Sequence, residues 1–154
     1  MENFDIIGPN DHPALLAIST PDVAALVKAT LIEMGYKVHI VDRPLLFELR
    51  YSQVNYQIVF IDETFAGSDP TENAALTLIQ NLPMGQRRHA TVFLVGAGYE
   101  TLNTMQAFAL SVHCVVNLTE LPMLTELVQK TVAENDLFLG TFREAQRRMY
   151  QKSA

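Results

Sequence analysis

The feature that most constrains the fold is a run of four apolar residues that ends in an acid, Ile58-Val59-Phe60-Ile61-Asp62. A short apolar run of this kind, bounded by polar residues, predicts a β-strand that is buried on both faces. Strands buried in this way belong to parallel sheets that are covered by helices on both sides. Because such sheets place functional groups at the carboxyl ends of their strands, Asp62 is predicted to lie at the functional edge.

The remaining sequence alternates between strand and helix patterns. Further apolar runs predict four more strands, over residues 14–18, 37–41, 91–95 and 114–116. Helical spacing of apolar residues predicts helices over residues 20–34, around 45–49, over 71–82 and 102–109, and from Pro122 onward. Five strands that alternate with five helices predict a doubly wound parallel sheet with right-handed crossovers.

The residues that begin and line the helices are also predicted. Ser19 and Thr20 are expected to supply a hydroxyl cap before Pro21, which suits a first helical turn. The apolar face of the second helix is predicted to contain Leu45, Leu46 and Leu49. That of the fourth helix is predicted to contain Leu102, Met105, Phe108 and Ala109.

Composition narrows the possible functions. A chain of 154 residues can form one domain with a sizeable core, and its formal net charge of −6 argues against a nucleic-acid surface. No apolar run approaches the roughly 18 residues of a membrane span, and acids near the start replace the positive charge of a secretory signal. We therefore expect a cytoplasmic protein without nucleic-acid or membrane partners. The single cysteine, Cys114, is predicted to be a buried thiol, and no metal site is expected.

The residues that follow the predicted strands define the candidate site. In strand order they are Ser19 and Thr20, Asp62 and Glu63, Gly96, and Asn117. A phosphoryl-transfer site would need several carboxylates for a divalent cation and a positive group for the transferring phosphoryl. The third strand offers Asp62 and Glu63, but no acid directly follows the first strand and no cation is available after the fifth. Useful phosphotransfer is therefore not expected.

Residues 14–135 resemble the receiver domain of two-component response regulators. The resemblance is carried by Thr20-Pro21-Asp22, Met34-Gly35-Tyr36-Lys37-Val38 and Ile58–Asp62, together with the spacing of the later elements. It implies a flavodoxin-like fold with strand order 2-1-3-4-5. It also implies an aspartate at the end of the third strand that accepts a phosphoryl group, and Asp62 matches that position.

The other positions of the family's site differ in this chain. The acid pair after the first strand corresponds to Ile18-Ser19 or Ser19-Thr20, the hydroxyl residue after the fourth to Gly96, and the lysine after the fifth to Asn117. The segment from Leu82 to Arg88, together with Met105-Gln106-Ala107-Phe108 and Val115-Val116-Asn117, is similar to a divergent bacterial receiver-like subfamily. The resemblance therefore implies a divergent pseudo-receiver, with Mg²⁺ as a cofactor only if Asp62 is a working phosphoacceptor.

Three hypotheses for function follow. The first is a non-catalytic receiver-like signalling module that acts through a protein partner. The second is a phosphoacceptor that uses Asp62, with Glu63 as an extra metal ligand. The third is a small-ligand binder at the same edge, which would use the Gly96–Gly98 turn, Thr20 and Asn117.

The chain continues beyond the receiver-like region as a helical pattern. We expect an irregular lead-in over residues 1–13, the receiver-like domain over 14–135 and a helical extension over 136–154, which either projects or folds back near Gly140. Exposed apolar side chains on the extension are predicted to form an interface, for a homodimer or a protein partner. They are Leu137, Phe138, Leu139, Phe142 and Met149. The alternative is that they cover the base of the domain or the lead-in.

Overall fold

A five-stranded parallel sheet forms the centre of the molecule. The computed structural model describes residues 6–67, 73–83 and 90–153. The strands are β1 (Pro13–Ala17), β2 (Lys37–Val41), β3 (Ile58–Asp62), β4 (Thr91–Gly96) and β5 (Cys114–Asn117). Their order across the sheet is β2-β1-β3-β4-β5 and all neighbouring pairs are parallel. The predicted doubly wound, flavodoxin-like fold is therefore confirmed.

Five α-helices in the described residues cover the two faces of the sheet. They are α1 (Pro21–Glu33), α2 (Pro44–Gln53), α3 (Ala74–Asn81), α4 (Thr104–Leu110) and α5 (Leu124–Ser153). Helices α1 and α5 pack on one face, while α2, α3 and α4 pack on the other. The side chains of β3 alternate between these two cores, because successive strand residues point to opposite faces. This alternation leaves the strand fully buried, as its sequence predicts.

The predicted buried face of α2 is wrong in two of its three residues, and that of α4 is wrong as well. In α2 the buried residue is Phe47 and Leu46 packs partly buried against the core, whereas Leu45 and Leu49 are exposed. In α4 the buried residue is Ala107, whereas Met105 is 75% and Phe108 is 83% exposed. Both helices carry apolar residues all round. For a helix of only two or three turns, such a sequence shows the helical period but does not show which face of the helix meets the sheet.

Helix α5 is one continuous helix of 30 residues, about 45 Å long at 1.5 Å per residue. A 3₁₀ turn over Leu118–Met123 precedes it and contains Pro122. The helix neither breaks nor folds back at Gly140, because one glycine in a helix interior costs only about 1 kcal/mol relative to alanine. Leu139 is only 8% exposed, so the expectation that it would lie on an open surface is wrong. Leu137, Phe138, Phe142 and Met149 are exposed to different degrees.

Some sequence predictions fall partly or wholly outside the described residues. These include the start of the third helix at residues 71–72, residues 1–5 of the lead-in, and most of the segment from Leu82 to Arg88. Cys114 is a buried free thiol, as predicted, and burial raises its pKa. Within the described ranges, none of the helices has the length and apolar character needed to cross a membrane.

Candidate functional site

Asp62 lies at the carboxyl end of β3 and is 6% exposed. Its Oδ1 atom accepts hydrogen bonds from the backbone N–H of Thr64, at 3.2 Å, and from the Thr64 hydroxyl, at 3.3 Å. This is the local bonding by which an aspartate closes its own turn two residues on. One carboxylate oxygen of Asp62 is therefore used to shape the chain that follows β3.

Asn73 supports the same turn from the start of α3, and sequence reasoning missed it. Its Nδ2 donates a 2.8 Å hydrogen bond to the carbonyl oxygen of Asp62, while its Oδ1 accepts from the N–H of Leu76. Asn73 is fully buried. An asparagine directly before a helical pattern is a typical N-cap, so its capping role was detectable in the sequence. Its contact with Asp62 was not, because that depends on the fold.

Neither Ser19 nor Thr20 forms the predicted side-chain cap of α1. The Ser19 hydroxyl oxygen accepts a 2.6 Å hydrogen bond from the N–H of Ala66, which has a positive φ of 57°. This bond links the loop after β1 to the loop after β3. Thr20 is the N-cap residue of α1, but its side chain makes no capping hydrogen bond. The predicted hydroxyl cap is therefore wrong, whereas Pro21 does occupy the first turn as predicted.

The Glu63 carboxylate reaches across the edge from β3 to the loop after β4. Its Oε1 atom accepts hydrogen bonds from the backbone N–H groups of Ala97, at 2.8 Å, and Gly98, at 3.2 Å. Gly96 lies directly beneath the carboxylate. A Cβ atom built on Gly96 would lie 2.3 Å from Cδ of Glu63, which no real pair of atoms tolerates. The missing side chain of Gly96 is thus the space that Glu63 fills.

Asn117 holds the same loop from the end of β5. Its Nδ2 donates to the carbonyl oxygens of Tyr99, at 2.7 Å, and Ala97, at 3.2 Å. Its Oδ1 accepts from the N–H and hydroxyl of Thr119, and its own N–H donates to the hydroxyl oxygen of Thr101. A neutral amide can both donate and accept in this way, whereas a lysine could only donate.

Tyr99 is the buried side chain of this loop. It is 8% exposed, and its hydroxyl has no hydrogen-bond partner among the residues that the structure describes. Burial, followed by the nearby carboxylates of Glu63 and Asp62, raises the pKa of Tyr99 to about 12. The hydroxyl therefore remains protonated at neutral pH and lies within electrostatic reach of both acids.

The donor set at this edge does not fit a divalent cation. Mg²⁺ favours an octahedral shell of hard oxygen atoms, usually anchored by more than one carboxylate. One oxygen of Asp62 is bound to Thr64, and Glu63 is bound to two backbone N–H groups. Across residues 6–67, 73–83 and 90–153, no three His, Cys, Asp or Glu side chains are grouped as metal ligands. The structure thus brings Asp62, Glu63, Gly96 and Asn117 to one edge, where Oδ1 of Asp62, Oε1 of Glu63 and the Asn117 amide are hydrogen-bonded within the chain.

The chain is similar to known proteins in its structure. No protein-family model and no curated protein matches the sequence. A response regulator from Thermotoga maritima superimposes with a TM-score of 0.63 and 14% identity, over 80% of this chain and 98% of its own. The chemotaxis response regulator CheY4 of Vibrio cholerae gives a TM-score of 0.62 and 11% identity, over 79% of this chain and 99% of its own.

A third similar structure extends further along the chain. It is a fusion protein that carries a trimeric coiled-coil segment of yeast Spc42, with a TM-score of 0.65 and 13% identity. The match covers 96% of this chain and 94% of the fusion. At these identities the likeness establishes the fold, and the chain has the fold of response regulator receiver domains.

Proposed function

We propose that the chain is a receiver-like signalling module that acts through protein–protein contacts and does not use phosphoryl transfer. The proposal depends on one observation, the bonding of the polar groups at the carboxyl edge. Asp62 is bound to Thr64, Glu63 to the loop after β4, and Asn117 to the carbonyl oxygens of that loop. These groups shape the loops of the chain itself.

The chemistry of phosphoryl transfer supports this proposal. Transfer to a carboxylate is accelerated almost entirely by positioned positive charge and donors, since little covalent chemistry is left to the protein. Asn117 replaces a cation with a neutral amide, and Gly96 supplies no hydroxyl. Each missing group costs on the order of 10²–10³ in rate, so the combined loss removes useful turnover.

Intact-mass spectrometry after incubation with acetyl phosphate and Mg²⁺ tests the proposal. The expected result is no gain in mass on a time scale of minutes. A gain of one phosphoryl group that Asp62→Asn abolishes would overturn the proposal in favour of a phosphoacceptor. The matched control is Asp22→Asn, an exposed aspartate in the first turn of α1, which should leave the result unchanged.

The pattern of residues on α5 favours a second copy of the chain as one protein partner. The residues of α5 that face the sheet recur at alternating intervals of four and three residues, and the same intervals continue beyond the domain. The buried members are Leu124, Val128, Thr131 and Asn135, and the continuation is Phe138, Phe142, Ala145 and Met149. A repeat of this kind is the pattern of helices that pair in a coiled coil.

Helix α4 adds an exposed apolar surface beside β5. Met105 and Phe108 are mostly exposed, and Leu102 is partly exposed just before the helix. Clusters of exposed apolar side chains on a small domain usually mark an interaction site. We therefore assign α4, together with α5, to the surface that contacts protein partners.

A further inference from the structure

We propose that Glu63 is a built-in ligand for a pair of backbone N–H groups, those of Ala97 and Gly98, that would otherwise bind an external oxyanion such as phosphate. In this role Glu63 holds the loop between β4 and α4 closed. The idea deepens the proposed function and rests on it, because it explains how the edge of the sheet is kept in one state without phosphoryl transfer.

The geometry of the N–H pair is that of an anion site. The N–H groups of Ala97 and Gly98 are consecutive in the chain, and both donate to the same oxygen, Oε1 of Glu63. Consecutive N–H groups that converge on one point form the concave arrangement in which backbones bind anions. Hydrogen bonds to an ionised acceptor are also about twice as strong as neutral ones. The carboxylate is thus an oxyanion already bound at the pair.

The Glu63 carboxylate also explains why position 96 is a glycine. Its φ is not positive, so its backbone conformation does not require glycine. The requirement comes from space, since a Cβ on Gly96 would lie 2.3 Å from Cδ and 2.5 Å from Oε1 of Glu63. Any larger residue at position 96 would force the flexible Glu63 side chain off the N–H pair. Gly96 and Glu63 therefore act as one unit.

Closure of the loop has a free-energy cost, which the hydrogen bonds to Glu63 offset. Closure buries the Tyr99 hydroxyl, which finds no partner within the described parts of the chain. An unsatisfied buried hydroxyl disfavours the conformation that buries it. If the loop opened, water could reach this hydroxyl, so the closed state depends on its other bonds, from Glu63 on one side and Asn117 on the other. The loop leads directly into α4, whose apolar surface is exposed.

A double-mutant experiment tests the coupling between the two residues. Glu63→Ala and Gly96→Ala should each accelerate hydrogen exchange at the Ala97 and Gly98 amides by about tenfold or more and lower Tm by about 2–6 °C. Together they should have the effect of either one alone, since both remove the same contact. Glu100→Ala removes a charge from the same loop and is the matched control, with unchanged exchange at the two amides. Additive effects of the two substitutions would overturn the coupling.

Titration with inorganic phosphate tests whether the N–H groups of Ala97 and Gly98 can bind an external oxyanion. In the variant Asp62→Asn/Glu63→Ala, which removes both negative charges, phosphate should shift the amide resonances of Ala97 and Gly98 in a saturable way. In the unmodified protein it should not. Absence of a saturable shift in the double variant would overturn the assignment of an oxyanion site. The proposed function fails separately, by a phosphoryl mass gain on Asp62.

Discussion

The side-chain amide of Asn117 donates a 2.7 Å hydrogen bond to the carbonyl oxygen of Tyr99, so the end of β5 supports the loop that follows β4. The same asparagine turns the chain into the 3₁₀ segment after β5 through Thr119. Both the Nδ2 and the Oδ1 atoms of Asn117 are therefore already hydrogen-bonded within the chain. This relationship predicts a stability role for Asn117 that can be measured.

Replacing Asn117 with alanine should lower the free energy of unfolding by about 1–3 kcal/mol, because the side chain's hydrogen bonds are lost, among them the part-buried bond to Tyr99, and two carbonyl groups of the loop lose their donor. Urea denaturation measures the change. Asn55→Ala is the control, since Asn55 is exposed and its change should fall within about 0.5 kcal/mol. Equal stability of Asn117→Ala and the unmodified protein would contradict the supporting role.

Replacing Tyr99 with phenylalanine should raise stability at neutral pH by about 1 kcal/mol, because the buried hydroxyl has no partner in the described structure. Thermal denaturation at pH 7 measures the change. Tyr150→Phe, at an exposed position, is the control and should have no effect. A loss of stability in Tyr99→Phe would show that the hydroxyl has a partner.

The raised pKa of Tyr99 predicts a loss of stability in alkali. An unfolded tyrosine ionises near a pKa of about 10, whereas the folded pKa is about 12. The folded state therefore keeps its proton longer, and its stability is complete below pH 10 and falls as the pH rises from 10 to 12. The fall should be smaller in Tyr99→Phe. Identical alkaline unfolding curves for the two proteins would contradict the shifted pKa.

Substitutions in α4 test which face meets the sheet. Phe108→Glu should change the free energy of unfolding by less than about 0.5 kcal/mol, because Phe108 is 83% exposed. Ala107→Glu should lower it by about 3 kcal/mol or more, since it would bury a charge. Chemical denaturation of the two variants makes the comparison. The reverse ranking would support the face that the sequence pattern predicted.

Association through α5 is expected to depend on its repeating apolar face. Light scattering should find a dimer that Phe142→Glu weakens by at least tenfold in dissociation constant, because a charge would enter the paired face. Arg147→Gln changes the net charge by the same amount on the opposite side of the helix and should leave association unchanged. A protein that stays monomeric at high micromolar concentration would contradict pairing along this helix.

The sheet could be predicted from the sequence because its strands are short, mostly apolar runs that are separated by helical spacings. The run Ile58–Asp62 identified both the central strand and the residue at its end. Helix faces were less predictable. In α4, Met105 and Phe108 follow the helical period as well as Ala107 does, and only packing against the sheet decides between them. Propensity and period cannot supply that decision.

The contacts of the site were the least predictable part. The sequence identified the positions Asp62, Glu63, Gly96 and Asn117 but not their bonds to one another or to the loop. The contact between Glu63 and the N–H groups after β4 joins residues 34 and 35 positions apart. It depends on the register of β3 against β4, which pairs Asp62 with Val95. Such contacts follow from the assembled sheet and have no local sequence signal.

Titration of the protein with Mg²⁺ tests the central claim most directly. If the acids at the carboxyl edge are committed to the chain's own backbone, millimolar Mg²⁺ should cause no saturable shift in the amide resonances of residues 62–64 and 96–98. Saturable binding at these residues, abolished by Asp62→Asn, would contradict the account. It would show that the edge forms a cation site and retains the first requirement of phosphoryl transfer.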